Sequence, residues 1–201
     1  DFTINTFKNA VGRQLDCLEA HDIVCKIGEV VVVGGVRRSA LISLSSIQDD
    51  RIRKVKMGQW WQDNPQRALS NNSACYTRTP DIGLFMHEWK ALYDSKSGER
   101  GIFNREAAKK KVAENGRRDP EHNFGTNPCS EIILRPYQFC NLTEVVIRAT
   151  DDEKSLKKKV RLATQLGTYQ STLTDIKYLR KIWRDNTEEE RLLGVSLTGI
   201  M

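Results

Sequence analysis

The sequence predicts an α/β protein whose strands are largely buried. Three observations carry that expectation. Strand-like and helix-like segments alternate along the 201 residues. The run Val30, Val31, Val32 and Val33 is continuously apolar and β-branched, the pattern of a strand covered on both faces. No internal repeat breaks the order, so the elements must pack against one another in layers. A barrel and an open sheet both fit this pattern.

Taken in order, residues 15–27 read as a helix. Leu18, Ile23, Cys25 and Ile27 supply an apolar stripe, His21 with Asp22 a polar one, and Gly28 a stop. Cys17 and Cys25, two turns apart, read as small buried hydrophobes on one face, with a dithiol as the alternative. After the valine run, Gly34 and Gly35 permit a tight turn and close approach of a neighbour. They lack the G-x-G-x-x-G spacing of a dinucleotide site. Residues 40–44 make a further strand and 49–57 a short charged helix, with Trp60 and Trp61 as anchors under a loop. Asn71, Asn72 and Ser73 read as polar loop leading to Cys75. Residues 81–93 form an amphipathic helix through Leu84, Phe85, Trp89 and Leu92, capped by Asp81. Gly101-Ile102-Phe103 is extended, and Asn104 caps a helix over 105–114 that closes at Asn115-Gly116. A turn-rich loop follows, with Gly125, Asn127 and Pro128, and then a strand over 138–148 that carries Cys140. Asp151 and Asp152 open a long helix to about Tyr169, acids first and lysines later, as the helix dipole favours. Residues 175–183 read as a helix, Thr187 as the start of a short one, and 193–201 as a strand.

Composition narrows the function. The net charge is +6, with Lys109 to Lys111 and Lys157 to Lys159 supplying much of it. These runs read as solvated helix faces, and no zinc-finger, RNP or helix-turn-helix pattern accompanies them, so no nucleic-acid partner is expected. No run of eighteen apolar residues suggests a membrane span. The first residues carry neither an initiator Met nor a signal peptide, and the last form a strand-like run without a turn, so the chain reads as a piece of a longer protein. Five cysteines, an odd number without a secretory signal, point to reduced thiols and a cytoplasmic location. No Cys-x-x-Cys pair exists and His21, His87 and His122 lack zinc-ligand spacing, so no metal site is expected.

The chemistry-bearing stretch is Asn127-Pro128-Cys129-Ser130-Glu131, with Cys140 eleven residues after the first thiol. A cysteine hydrolase would need a histidine base, and nothing marks the nearby His122 as one. A redox dithiol usually has closer spacing. Two inert structural cysteines in a non-catalytic binding module remain the plain alternative, weakened by Glu131, since a carboxylate beside a buried thiol is costly unless it works or is paired. If the loop is extended, Cys129 and Glu131 project to the same side of the backbone.

The string from Gly125 to Ile132, followed by Cys140-Asn141-Leu142 and Glu144-Val145-Val146, resembles the finger loop and next strand of ribonucleotide reductases. Gly34-Gly35-Val36-Arg37-Arg38-Ser39-Ala40, Asn71-Asn72-Ser73-Ala74, Gly101-Ile102-Phe103-Asn104-Arg105 and Gly194-Val195-Ser196-Leu197-Thr198-Gly199 resemble the same family, in the same order. The step from Cys129 to Cys140 is similar to that of the adenosylcobalamin-dependent class II enzymes. A class I large subunit, served by a separate radical-generating subunit, is the alternative within the family. The resemblance implies a ten-stranded α/β barrel of two half-barrels. Residues 1–201 would be an internal fragment: the first half-barrel, the finger loop at about 123–137 and the start of the second half.

It also implies roles. Cys129 would be the thiyl site, Glu131 the base for the ribose 3′-hydroxyl, Asn127 a ribose hydrogen-bond partner and Cys140 one half of the reducing dithiol. Ser39 and Ser130 would touch substrate. Adenosylcobalamin would be the cofactor, a ribonucleoside di- or triphosphate the substrate, an external dithiol such as a thioredoxin-like protein the reductant, and a nucleotide the allosteric effector of the parent protein. In the family the partner of Cys140 lies upstream of residue 1, and the phosphate loop and C-terminal cysteine pair lie beyond Met201. The fragment alone is expected to have no turnover.

Overall fold

A computed structural model of the chain describes residues 1–31, 39–96, 98 and 100–200. It is α/β with parallel sheets and divides into two compact units, Asp1–Lys111 with Thr126–Glu131, and Val112–Gly125 with Ile132–Met201.

The first unit contains α1 (Phe2–Asn9), α2 (Cys17–Glu29), β1 (Leu41–Ser46), α3 (Asp50–Arg53), α4 (Trp60–Asp63), a 3-10 turn (Pro65–Leu69), β2 (Ser70–Tyr76), α5 (Ile82–Ser95) and β3 (Gly101–Asn104). The next helix, α6 (Arg105–Asn115), runs across the boundary between units. The three strands are parallel with β2 in the centre, Leu41 facing Ser70 and Ser73 facing Gly101.

Several sequence expectations change here. Helix α2 starts at Cys17 because Asp16 and Glu19 form a reciprocal capping box before it. Its buried face is His21, Cys25 and Gly28, while Ile27 is 62% exposed. Gly28 is therefore not a stop but the point of closest approach. A Cβ there would meet the Ser39 hydroxyl at 3.4 Å and Leu41 at 3.6 Å. Val30 caps α2 and Val31 lies in a turn, while Val32, Val33 and the string Gly34 to Arg38 fall outside the described residues. Asn71, Asn72 and Ser73 are not loop: they form the middle of β2, with Asn72 and Ser73 buried. The ladder to β1 runs along Ser70 to Cys75 and the ladder to β3 joins from Ser73 onward, and a histidine on α2 receives Asn72. Trp61 is 55% exposed and meets the Trp60 ring edge to face, and Lys56 lies over the Trp60 ring at 4.9 Å.

Helix α5 is capped by Asp81, whose carboxylate accepts from Gly83 and Leu84. Its most deeply buried residue is Glu88, not the expected aromatic stripe, and Trp89 is half exposed. Glu88 is buried with Arg53, whose Nε donates at 2.9 Å, and Arg100, whose Nη2 donates at 3.1 Å and whose Nη1 reaches Ser45 at 2.6 Å. Burial pushes the Glu88 carboxyl up, and the two guanidinium groups outweigh it and hold the group below the usual carboxylate range.

The second unit contains the end of α6, β5 (Ile133–Leu134), β6 (Asn141–Val146), α7 (Glu153–Gln170), α8 (Lys181–Glu190) and β7 (Leu193–Thr198). The two-residue strand β4 (Gly125–Thr126) stands at its edge. β6 and β7 are parallel, Asn141 facing Leu193. Asp152 and Ser155 make the cap of α7. Cys140 stands one residue before β6 rather than within it. The expected helices at 175–183 and from Thr187 are replaced by the single helix α8. Thr187 is buried inside it and its hydroxyl bonds back to the Trp183 carbonyl at 2.7 Å. Arg191, at φ 44°, ends it in the left-handed region. Among the described residues no helix is long and apolar enough to cross a membrane, and no three His, Cys, Asp or Glu side chains gather as metal ligands.

Candidate active site

The loop between β4 and β5 is a tight turn. The Asn127 carbonyl accepts from the Ser130 amide at 2.9 Å, which places Pro128 and Cys129 at the two central positions. Pro128 suits the first of these because its ring locks φ. Ser130 follows at φ 69°, a left-handed conformation uncommon for a residue with a side chain. The expected extended loop is thus replaced by a turn, and the alternation argument for Cys129 and Glu131 does not apply. A two-residue step across a turn does not follow the period of a strand.

Asn127 is half-buried, while Cys129, Ser130 and Glu131 are exposed. The sheet reaches this turn through Asn71 of β2, whose side-chain amide donates to the Pro128 carbonyl at 2.6 Å. Three of the predicted site residues, Asn127, Cys129 and Ser130, therefore sit on one turn of the first unit, and Glu131 follows it directly. Ser39 lies in the same unit, half-buried ahead of β1, with its hydroxyl against Gly28 of α2. Cys140, half-buried, belongs to the second unit, where the following Asn141 bonds the Leu192 carbonyl through its backbone amide at 3.0 Å and its side chain at 3.1 Å.

The remaining thiols have local partners. Cys17 donates to Asp49 at 2.7 Å and is raised by burial and by that carboxylate. Cys75 is buried and raised for the same first reason. Cys25 lies 3.6 Å from His21 Nδ1. Cys17 and Cys25 are both free thiols, each with its own neighbour. The His21 imidazole approaches Asp22 at 3.4 Å, Ser70 at 3.1 Å and Asn72 at 3.0 Å. Burial lowers its pKa, yet the Asp22 and Cys25 contacts win and raise it to about 9. Asp22 is itself disfavoured by burial but held at about 2 by Arg67, which bonds it twice, and by His21.

Sequence periodicity missed a second polar cluster. In the second unit Arg135 is buried and reaches His122 at 3.1 Å, the Asn186 side chain at 3.1 Å and Glu189 at 2.6 Å. Arg118 pairs with Glu190 at 2.8 Å, and Gln138 donates to the same carboxylate at 2.6 Å. These bonds tie the segments on either side of the turn that belong to this unit to α8. Asn71 and this cluster act across some fifty residues of sequence, where no local pattern signals a partner.

No family model matches the chain. Curated relatives do, along nearly its whole length. The chain is 37% identical over 98% of its length to the adenosylcobalamin-dependent ribonucleoside-triphosphate reductase of Lacticaseibacillus paracasei. It is 33% identical over 99% to that of Levilactobacillus brevis and 31% identical over 96% to that of Lactobacillus leichmannii. It spans about a quarter of each: 26%, 26% and 25%. By this likeness the chain is similar to a stretch of ribonucleotide reductases. Within that class its relatives are the adenosylcobalamin-dependent ribonucleoside-triphosphate reductases.

Proposed function

We propose that this chain is the finger-loop segment of an adenosylcobalamin-dependent ribonucleotide reductase, part of a ten-stranded α/β barrel, and that the whole enzyme reduces ribonucleoside triphosphates. The observation that supports this most is the Asn127–Ser130 turn with Cys129 exposed at its tip and Glu131 just beyond. The relatives' names add the triphosphate and the cofactor.

Adenosylcobalamin, when bound, supplies a carbon radical able to remove hydrogen from a thiol. Cys129 fits that demand, since an exposed thiol on a fixed turn is open to a reactive carbon. As a thiyl, Cys129 takes the hydrogen from ribose C3′ and becomes a thiol again, leaving the radical on the sugar. Glu131 accepts the 3′-hydroxyl proton and gives it back to that oxygen at the end of the cycle. The 2′-hydroxyl gains a proton and leaves as water. Cys140 and a second thiol, outside this chain, give two electrons and two protons and become a disulfide, which an external dithiol such as a thioredoxin-like protein reduces. Cys129 finally returns its hydrogen to C3′. Asn127 and Ser130, on the same turn, and Ser39, ahead of β1, contact the nucleotide in this reading. A nucleotide effector bound elsewhere in the enzyme sets base preference.

The test uses the full-length enzyme with adenosylcobalamin, a dithiol and a ribonucleoside triphosphate. Cys129→Ala and Cys140→Ala each abolish deoxyribonucleotide formation, and cob(II)alamin fails to accumulate only in the Cys129 variant. Turnover that ignores cobalamin and needs a separate radical-generating subunit moves the enzyme to class I. Turnover that survives loss of Cys129 ends the radical reading.

A further inference from the structure

We propose that Asn71 of β2 is a positioning residue for Cys129: its side-chain amide holds the Pro128 carbonyl and so fixes the peptide that carries the thiol. This rests on the reductase reading given above.

The contact is short and directional, 2.6 Å from Asn71 Nδ2 to the Pro128 oxygen. The acceptor is a carbonyl, so the amide nitrogen must face it, which assigns the side-chain orientation. The donor stands on a rigid base. Asn71 is paired with Ile42 in the β1–β2 ladder, on the central strand of the sheet. Its neighbour Asn72 engages His21 on α2. Successive strand residues face opposite ways, so β2 uses one asparagine to hold the helix layer and the next to hold the loop.

The turn needs such a hold. Its internal bond, Asn127 carbonyl to Ser130 amide, brackets Pro128 and Cys129 but leaves the Pro128–Cys129 peptide itself unanchored. Ser130 at φ 69° is a conformation that a side-chain-bearing residue keeps only when its surroundings impose it. The Asn71 amide grips that middle peptide. Hydrogen-atom transfer from a ribose carbon requires the sulfur within about 3–3.5 Å, and a displacement of about 1 Å can slow a reaction by about a hundredfold. Asn71 touches neither substrate nor the reacting sulfur in this scheme. It acts through the backbone.

The experiment compares full-length wild-type enzyme with Asn71→Ala and Asn71→Asp, the second keeping size and shape while replacing the donor by an acceptor. Steady-state kinetics are paired with amide hydrogen exchange at Ser130, and at Ile42 and Asn72 as controls of the ladder. Both variants should lower kcat by about ten- to a hundredfold with KM within about twofold. The Ser130 amide should exchange about tenfold faster while the ladder amides stay protected. Unchanged kcat, or unchanged exchange at Ser130, overturns the proposal. Loss of ladder protection together with activity also overturns it, by making Asn71 a residue of the fold. A wild-type enzyme that forms no deoxyribonucleotide refutes the reductase reading instead, and the exchange at Ser130 then decides the contact alone.

Discussion

His21 is the residue where burial and charge compete most openly. Its imidazole is enclosed between α2 and β2, with Asp22, Cys25, Ser70 and Asn72 around it and Arg67 behind Asp22. Its folded pKa of about 9 lies above the ordinary histidine value of 6.5. The unfolded chain therefore loses this proton first as pH rises, and stability falls between those two values. The contribution is complete below about pH 6.5 and gone above about pH 9. At about 1.4 kcal/mol per pH unit, that interval corresponds to about 3–4 kcal/mol. Urea midpoints should fall over this range in the native chain, and His21→Gln should flatten the fall. An equal slope in the variant would assign the effect elsewhere.

At the scale of elements, close approach rather than propensity decides the packing. Gly167 lies inside α7, where glycine costs the helix about 1 kcal/mol relative to alanine. The cost is offset because a Cβ there would overlap the Leu193 side chain of β7 and touch Thr143 of β6 at 3.4 Å. Gly167→Ala should thus destabilise the second unit by about 1–3 kcal/mol through overpacking, against its gain in helix propensity. A chemical-denaturation midpoint that rises in the variant would show that Leu193 can turn aside freely. The same logic places Gly28 on the buried face of α2, where hydrophobic periodicity read a stop.

The molecule as a whole leaves much apolar surface uncovered. In the second unit Leu142, Val146, Leu162 and Leu166 are each 43–62% exposed and line an open groove of about 600 Å³ beside Lys159. Contiguous apolar surface of this kind is characteristic of interaction sites and ligand grooves. The curated relatives are about four times as long as this chain, and Cys129 and Glu131 are exposed in it. Radical chemistry needs water excluded. The 201-residue chain by itself should accordingly bind an apolar dye strongly and form no deoxyribonucleotide, even with cofactor and dithiol. Measurable product from it would refute this.

The alternation of strand and helix, the caps at Asp81, Asn104 and Asp152, and the thiol–carboxylate stretch at residues 127–131 were all legible in the sequence. Each depends on residues close together in the chain, where backbone sterics and local hydrogen bonds act. The burial of β2 was not legible, because Asn71, Asn72 and Ser73 are polar and find their partners about fifty residues away or on neighbouring strands. Nor was the buried Glu88, whose charge is tolerated only where Arg53 and Arg100 converge. The turn around Cys129 was legible as a loop, but its left-handed Ser130 and its anchor on Asn71 came only with the tertiary structure. Residue type and spacing determine which chemistry the chain carries. Which polar groups can be buried, and which peptide is held still, depends on partners that only the folded chain brings within hydrogen-bonding distance.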